Sequence, residues 1–127
     1  MLDRRLLPDA DVETTIAACV SAGVDWIQTR DRELEGEALL AWNDAVAAGA
    51  GGRARRLVNR RVDIALACEA DGVHLGFDAL PTEAARQLVG PDRTLGRSFH
   101  EPDAFEAAGL DYGHLAPIEA PRSKPAT

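Results

Sequence analysis

Aromatic residues supply only 5% of this 127-residue chain, which holds three histidines, two cysteines and a single tyrosine. Each scarcity excludes something. Cys19 and Cys68 sit alone, each within a helical apolar pattern, which argues against a disulfide-stapled fold and predicts buried free thiols. Three histidines with no Cys/His cluster are too few for a structural zinc site. No apolar run nears the roughly 20 residues that span a bilayer, and the opening Met1-Leu2-Asp3-Arg4-Arg5 lacks the apolar core of a signal peptide. These absences predict a protein of the reducing cytoplasm with no membrane contact. Basic residues are also in deficit: 14 Lys and Arg against 21 Asp and Glu give a net charge of −7, which argues against a nucleic-acid partner. What is present is ordinary. The 46% hydrophobic and 28% charged residues suit one globular domain over residues 1–127.

One run opposes the acidic balance. Arg53, Arg55, Arg56, Arg60 and Arg61 crowd together, and two readings stay open: a solvated loop leading into a strand, or a local anion site suited to phosphate.

A pattern recurs three times. Ala22-Gly23-Val24-Asp25-Trp26-Ile27-Gln28, Cys68-Glu69-Ala70-Asp71-Gly72-Val73-His74 and Ala108-Gly109-Leu110-Asp111-Tyr112-Gly113-His114 each end a helix, place an Asp, and begin an apolar run. Each sets a polar side chain (Gln28, His74 or His114) three positions past its Asp. Such an echo marks a repeated helix–turn–strand unit. Strands are expected at Val24 to Thr29, Arg56 to Asn59, Gly72 to Phe77, Thr94 to Ser98 and Tyr112 to Ile118, with a stub of an earlier one within Met1 to Leu6. Helices fall between them: one capped by Asp9 or Asp11, one preceded by Gly36, a short one at Val62, one led by Pro81 and one led by Pro102. Strands alternating with short helices imply a parallel α/β sheet, whose chemistry lies at the C-terminal strand ends.

Those strand ends read Gln28-Thr29-Arg30-Asp31-Arg32, Leu57-Val58-Asn59-Arg60-Arg61, Gly72-Val73-His74-Leu75-Gly76-Phe77-Asp78, Gly96-Arg97-Ser98-Phe99-His100 and Ala116-Pro117-Ile118 running on to Ser123-Lys124. In this order they resemble the thiamine phosphate synthases and their sister branch, the thiazole tautomerases. The resemblance covers essentially the whole chain and implies a (β/α)8 TIM barrel, incomplete, with about strands 1/2 to 6 present and strands 7 and 8 missing. A full barrel usually needs about 250 residues. The implied reaction couples hydroxymethylpyrimidine diphosphate with thiazole phosphate and releases diphosphate. By position, Gln28 would touch the pyrimidine, Arg30 and Arg32 would clamp the diphosphate, and Asn59 would orient it. Ser98 would contact the pyrimidine diphosphate, Ser123 would hold the thiazole phosphate, and Lys124 would stabilise the leaving group.

The same resemblance implies Mg²⁺, but the two carboxylate positions that would hold it carry Arg60 and Ala79, with Asp78 one residue away. Arg60 at a metal position opposes a magnesium diphosphate and offers a guanidinium in its stead. Three functions follow as expectations: the synthase; a tautomerase-type isomerase with His100 as its acid/base; or a catalytically degenerate phosphate-binding fragment. For His100 the alternative is a residue at the start of a helix, and His74 is expected to be packed and hydrogen-bonded. The partners implied are phosphorylated pyrimidine and thiazole, with self-association through an open sheet edge.

Overall fold

Alternating side chains of the expected strands divide between two faces, and the fold uses both. The computed structural model describes residues 1–7, 11–101 and 109–122. The helix expected from Pro102, and Ser123 and Lys124, lie outside the described residues. Six strands form one parallel sheet in chain order: β1 (Leu2–Asp3), β2 (Trp26–Arg30), β3 (Arg55–Asn59), β4 (Gly72–Leu75), β5 (Thr94–Phe99) and β6 (Tyr112–Leu115). A 3₁₀ turn over Arg4–Leu6 follows β1, and α1 (Val12–Ser21), α2 (Gly36–Ala50), α3 (Val62–Ala67) and α4 (Thr82–Val89) connect successive strands. Adding every strand on the same side, without reversing direction, is barrel winding rather than double winding.

Ile27 and Thr29 of β2, Val58 of β3, Val73 and Leu75 of β4 and Leu95 of β5 are buried. Val58, Val73, Leu75 and Leu95 pack with Leu39, Val62, Ala65 and Ala85 of the helices, while Ile27 joins Ile16, Val20 and Val46. Thr29 donates to Asn43 of α2 at 2.7 Å, a buried polar tie between strand and helix. The opposite face carries Trp26, Gln28, Leu57, Thr94, Tyr112 and His114. These residues, from β2, β3, β5 and β6, line a single cavity of about 480 Å³, so the sheet curls around it.

The three echoed aspartates mark the N-terminal strand ends. The Arg56 amide donates to the Asp71 carboxylate and the Leu95 amide to that of Asp111, each at 2.7 Å. Those carboxylates hold the preceding strand, whereas Asp25 engages the following one through its backbone carbonyl, which accepts from the Arg55 amide at 2.9 Å, as the Asp71 carbonyl does from the Thr94 amide. The aspartates therefore pin neighbouring strands, and the polar residue three positions further on lies on the inner face.

Helix boundaries follow their caps. Asp11 accepts from the Glu13 amide at 3.1 Å and from the Thr14 hydroxyl at 2.6 Å to start α1, and Pro81 precedes α4. Strands are shorter than expected at three places. β2 begins at Trp26, β4 stops at Leu75 where the Ala79 amide turns back to the Gly76 carbonyl, and β6 stops at Leu115, after which the Ala116 amide makes a last bond to the Phe99 carbonyl before Pro117, which cannot donate to a ladder. Cys68 is buried and free as expected, whereas Cys19 is only half-buried. The arginine run is not one site. β3 separates it, with Arg55 over the Trp26 ring and Arg56 donating to the Cys68 and Glu69 carbonyls at one end, and Arg60 and Arg61 at the other. Among the described residues no helix is long and apolar enough to cross a membrane.

Candidate functional site

The C-terminal strand ends are where the sheet gathers its polar side chains. After β2, the Asp31 carboxylate accepts from the Glu33 and Leu34 amides at 2.8 and 2.6 Å and pairs with Arg4. That self-capped turn fixes the base of exposed Arg32. After β3, Arg60 takes a left-handed backbone, φ +68, secured by its amide donating to the His74 carbonyl at 2.8 Å. Its side chain passes over Gly76, where a Cβ would lie 3.8 Å from both Cγ and Nη1, and its guanidinium donates to Asp78 at 3.0 Å. That hydrogen bond, with the charges of Arg60 and Arg32, holds the Asp78 carboxyl below the usual carboxylate range.

Arg32, Asn59, Arg60 and Arg61 share a recess of about 330 Å³ with Asp31 and Glu35. The Asn59 amide donates to the Gln28 side-chain oxygen at 3.5 Å, which links the recess to the inner cavity. Arg30, the last residue of β2, is half-buried and donates to Asp3 of β1 at 3.4 Å. Asp3 itself is held down to about 2, chiefly by its hydrogen bond from Arg5.

One row of register partners, Asn59–His74–Gly96–Tyr112, crosses four strands. His74 is buried; its Nδ1 lies 2.8 Å from the Tyr112 hydroxyl and its Nε2 2.7 Å from the Ser98 hydroxyl. A neutral imidazole meets both hydroxyls by accepting one proton and donating its own. Burial, then the charge of His114 with ring centroids 5.0 Å apart, pushes His74 down to about 4. Burial raises Tyr112 to about 12 against a hydrogen bond from Gln28.

Gln28, Asn59 and Arg32 thus come together, with Arg30 beside them on β2, and Ser98 joins through His74. His100 stands apart. Its Nδ1 lies 2.7 Å from the Ala116 carbonyl, its ring meets the Phe77 ring at 4.6 Å, and both line a separate pocket of about 320 Å³ with Ser98. Tyr112 and the pairing of Arg60 with Asp78 were not foreseen from sequence, although Arg60 itself was expected to offer a guanidinium in place of the metal. The signal for Tyr112 was present, since it follows Asp111 in the third echo.

The residues at the implied magnesium positions do not fit that ion. A divalent magnesium wants carboxylate and water oxygens; here one position is Ala79, the other is a guanidinium, and Asp78 is already engaged by it. Among the described residues no group of three Asp, Glu, His or Cys is placed to hold a metal.

Sequence and fold both have known counterparts. The family model described as thiamine monophosphate synthase matches residues 2–127. A thiamine-phosphate synthase of Prochlorococcus marinus (strain MIT 9303) is 38% identical over 123 residues, covering 94% of this chain and 35% of its own length. One from Anaeromyxobacter dehalogenans (strain 2CP-C) is 42% identical over 118 residues, covering 91% of this chain and 53% of its own. Among solved structures, a thiamine phosphate pyrophosphorylase from Pyrococcus furiosus superposes with a TM-score of 0.77 at 28% identity, over 92% of this chain and 58% of that one. The chain therefore spans between a third and three-fifths of the length of these relatives, in keeping with an incomplete barrel. With the family model matching residues 2–127, this chain belongs to the thiamine monophosphate synthase family.

Proposed function

We propose that the chain is thiamine phosphate synthase-like and carries the pyrimidine diphosphate half of the site that couples hydroxymethylpyrimidine diphosphate with thiazole phosphate. The observation that carries this is the convergence of Gln28, Arg32 and Asn59 at adjoining strand ends, on one recess and the cavity beside it. Departure of diphosphate leaves a pyrimidine cation, which the thiazole nitrogen attacks, so the barrier falls when cations meet the charge building on the leaving group. Arg30 and Arg32 supply that charge, Asn59 orients the diphosphate, and Gln28 reads the pyrimidine edge. Ser98, aimed by its bond to His74, contacts the pyrimidine diphosphate. Ser123 and Lys124 are assigned to thiazole phosphate and the leaving group by sequence position alone.

The rest of the reading is equally our own: a cytoplasmic protein of thiamine biosynthesis, without nucleic-acid or membrane partners. Trp26 at 44% and Leu115 at 40% exposure favour self-association through the open sheet. Titration calorimetry with hydroxymethylpyrimidine diphosphate tests the assignment. Binding that weakens at least tenfold in Asn59→Ala and Gln28→Ala is expected, and equal affinity in all three proteins would reject it.

A tautomerase-type isomerase is the second reading, favoured by His100. The Ala116 carbonyl can only accept, so Nδ1 carries the proton and Nε2 keeps a lone pair able to take one from a substrate.

A further inference from the structure

We infer that Arg60 and Asp78 form an internal counter-ion latch, in which an incoming diphosphate displaces the Asp78 carboxylate from the Arg60 guanidinium and no divalent ion takes part. The inference rests on the reading of this rim as the diphosphate site and goes beyond it by fixing how the anion is admitted. Three observations support it. Arg60 has a preset path: its left-handed backbone is pinned to the His74 carbonyl, and its stem runs past Gly76, where even a Cβ would stay 3.8 Å from it. Arg60 thereby lines the recess it shares with Arg32 and Asn59, with its guanidinium on Asp78. Its partner is weakly held. Asp78 is about half exposed and binds through one Arg60 nitrogen at 3.0 Å. Exposed pairs of this kind contribute little, whereas a diphosphate offers more charge and can accept two parallel guanidinium bonds. Arg32, whose charge also acts on Asp78, would share the arriving anion.

The latch makes a signed forecast. Asp78 competes with the ligand, so removing its charge tightens binding, whereas removing Arg60 loosens it. Magnesium adds nothing, because the cation it would supply is already built into the chain. The experiment is calorimetric titration of the 127-residue chain with inorganic pyrophosphate, in EDTA and then in excess magnesium. It is run on the unaltered protein, Asp78→Asn and Arg60→Asn, with circular dichroism confirming each fold. Asparagine is chosen at Arg60 because it tolerates the left-handed backbone. Expected are binding in EDTA, a roughly fivefold gain in Asp78→Asn and a loss of tenfold or more in Arg60→Asn. Binding that requires magnesium, or Asp78→Asn binding no tighter than the unaltered chain, overturns the latch but leaves the diphosphate site standing. No pyrophosphate binding by the unaltered chain or Asp78→Asn, with or without magnesium, overturns both. Should Arg60→Asn fail to fold, the Asp78→Asn and EDTA arms still decide the matter.

Discussion

Tyr112 lies across Gly96: a Cβ built on that glycine would fall 2.0 Å from the tyrosine Cζ. The missing side chain on β5 is what allows a β6 tyrosine to reach His74 on β4 at 2.8 Å. Gly96→Ala should therefore expel the Tyr112 ring and cost about 2–3 kcal/mol, while Tyr112→Phe, which removes only the hydroxyl, should cost about 1 kcal/mol. Gly72→Ala should be worse than either, because its Cβ would meet the Thr94 backbone oxygen at 2.1 Å and a strand cannot move as a ring can. Urea denaturation ranks the three, and near-ultraviolet circular dichroism reports the tyrosine.

His74 gives stability an acid-side slope. Its pKa falls from the ordinary 6.5 to about 4, mainly by burial, so between those values the unfolded chain binds the proton more readily. The sign is then fixed: the contribution is complete above pH 6.5 and is lost as pH drops towards 4, by about 3 kcal/mol in all. Unfolding curves at half-unit intervals should show the decline, and His74→Gln should flatten it. An equal slope in the variant would assign the acid sensitivity elsewhere.

The echoed aspartates should differ in their importance. Asp71 and Asp111 receive strand amides on their carboxylates, and Asp111 also pairs with Arg86 at 2.9 Å. Asp25 engages the next strand with its backbone alone. Asp71→Ala and Asp111→Ala are expected to cost about 1–2 kcal/mol each, and Asp25→Ala under about 0.5 kcal/mol. Thermal melts of the three variants are sufficient to compare them.

Restoring carboxylates should change the site's ion requirement. Arg60→Asp together with Ala79→Asp replaces a guanidinium and a methyl group with two acids beside Asp78. Such a cluster offers the oxygen ligands magnesium prefers and removes the built-in cation. Pyrophosphate binding in the double variant should then appear only with magnesium, as read by calorimetry. Unaltered binding in EDTA would show that these two positions do not govern the ion.

Much of this was legible in the sequence because its signals are local. Asp11 caps its helix, Pro81 precedes one, and the Asp-led echoes announced parallel strands in order. The packed, hydrogen-bonded His74 was also expected. What escaped depends on contacts between distant segments. The arginine run looked like one patch, but a five-residue strand, about 17 Å long, carries its members to opposite ends of the sheet. The contact of Tyr112 with His74 needs a glycine on the strand between them. The Arg60–Asp78 pair needs the turn at Gly76 to bring Asp78 back across the end of β3. Asn43 lies on an apolar helical face and showed its purpose only when Thr29 came to meet it.

Phosphate is proposed to bind at the C-terminal strand ends of this open barrel. Hydrogen exchange of the chain with and without saturating pyrophosphate, followed by mass spectrometry of its peptides, tests that most directly. Slowed exchange is predicted in the segments around Asp31 to Leu34, Asn59 to Asp63 and Gly76 to Ala79, which frame the recess and its latch. The segments around Trp26 and Arg55, at the opposite ends of the same strands, should remain unchanged. Protection there, or no protection at the first three, would place the anion elsewhere on the sheet or nowhere on it.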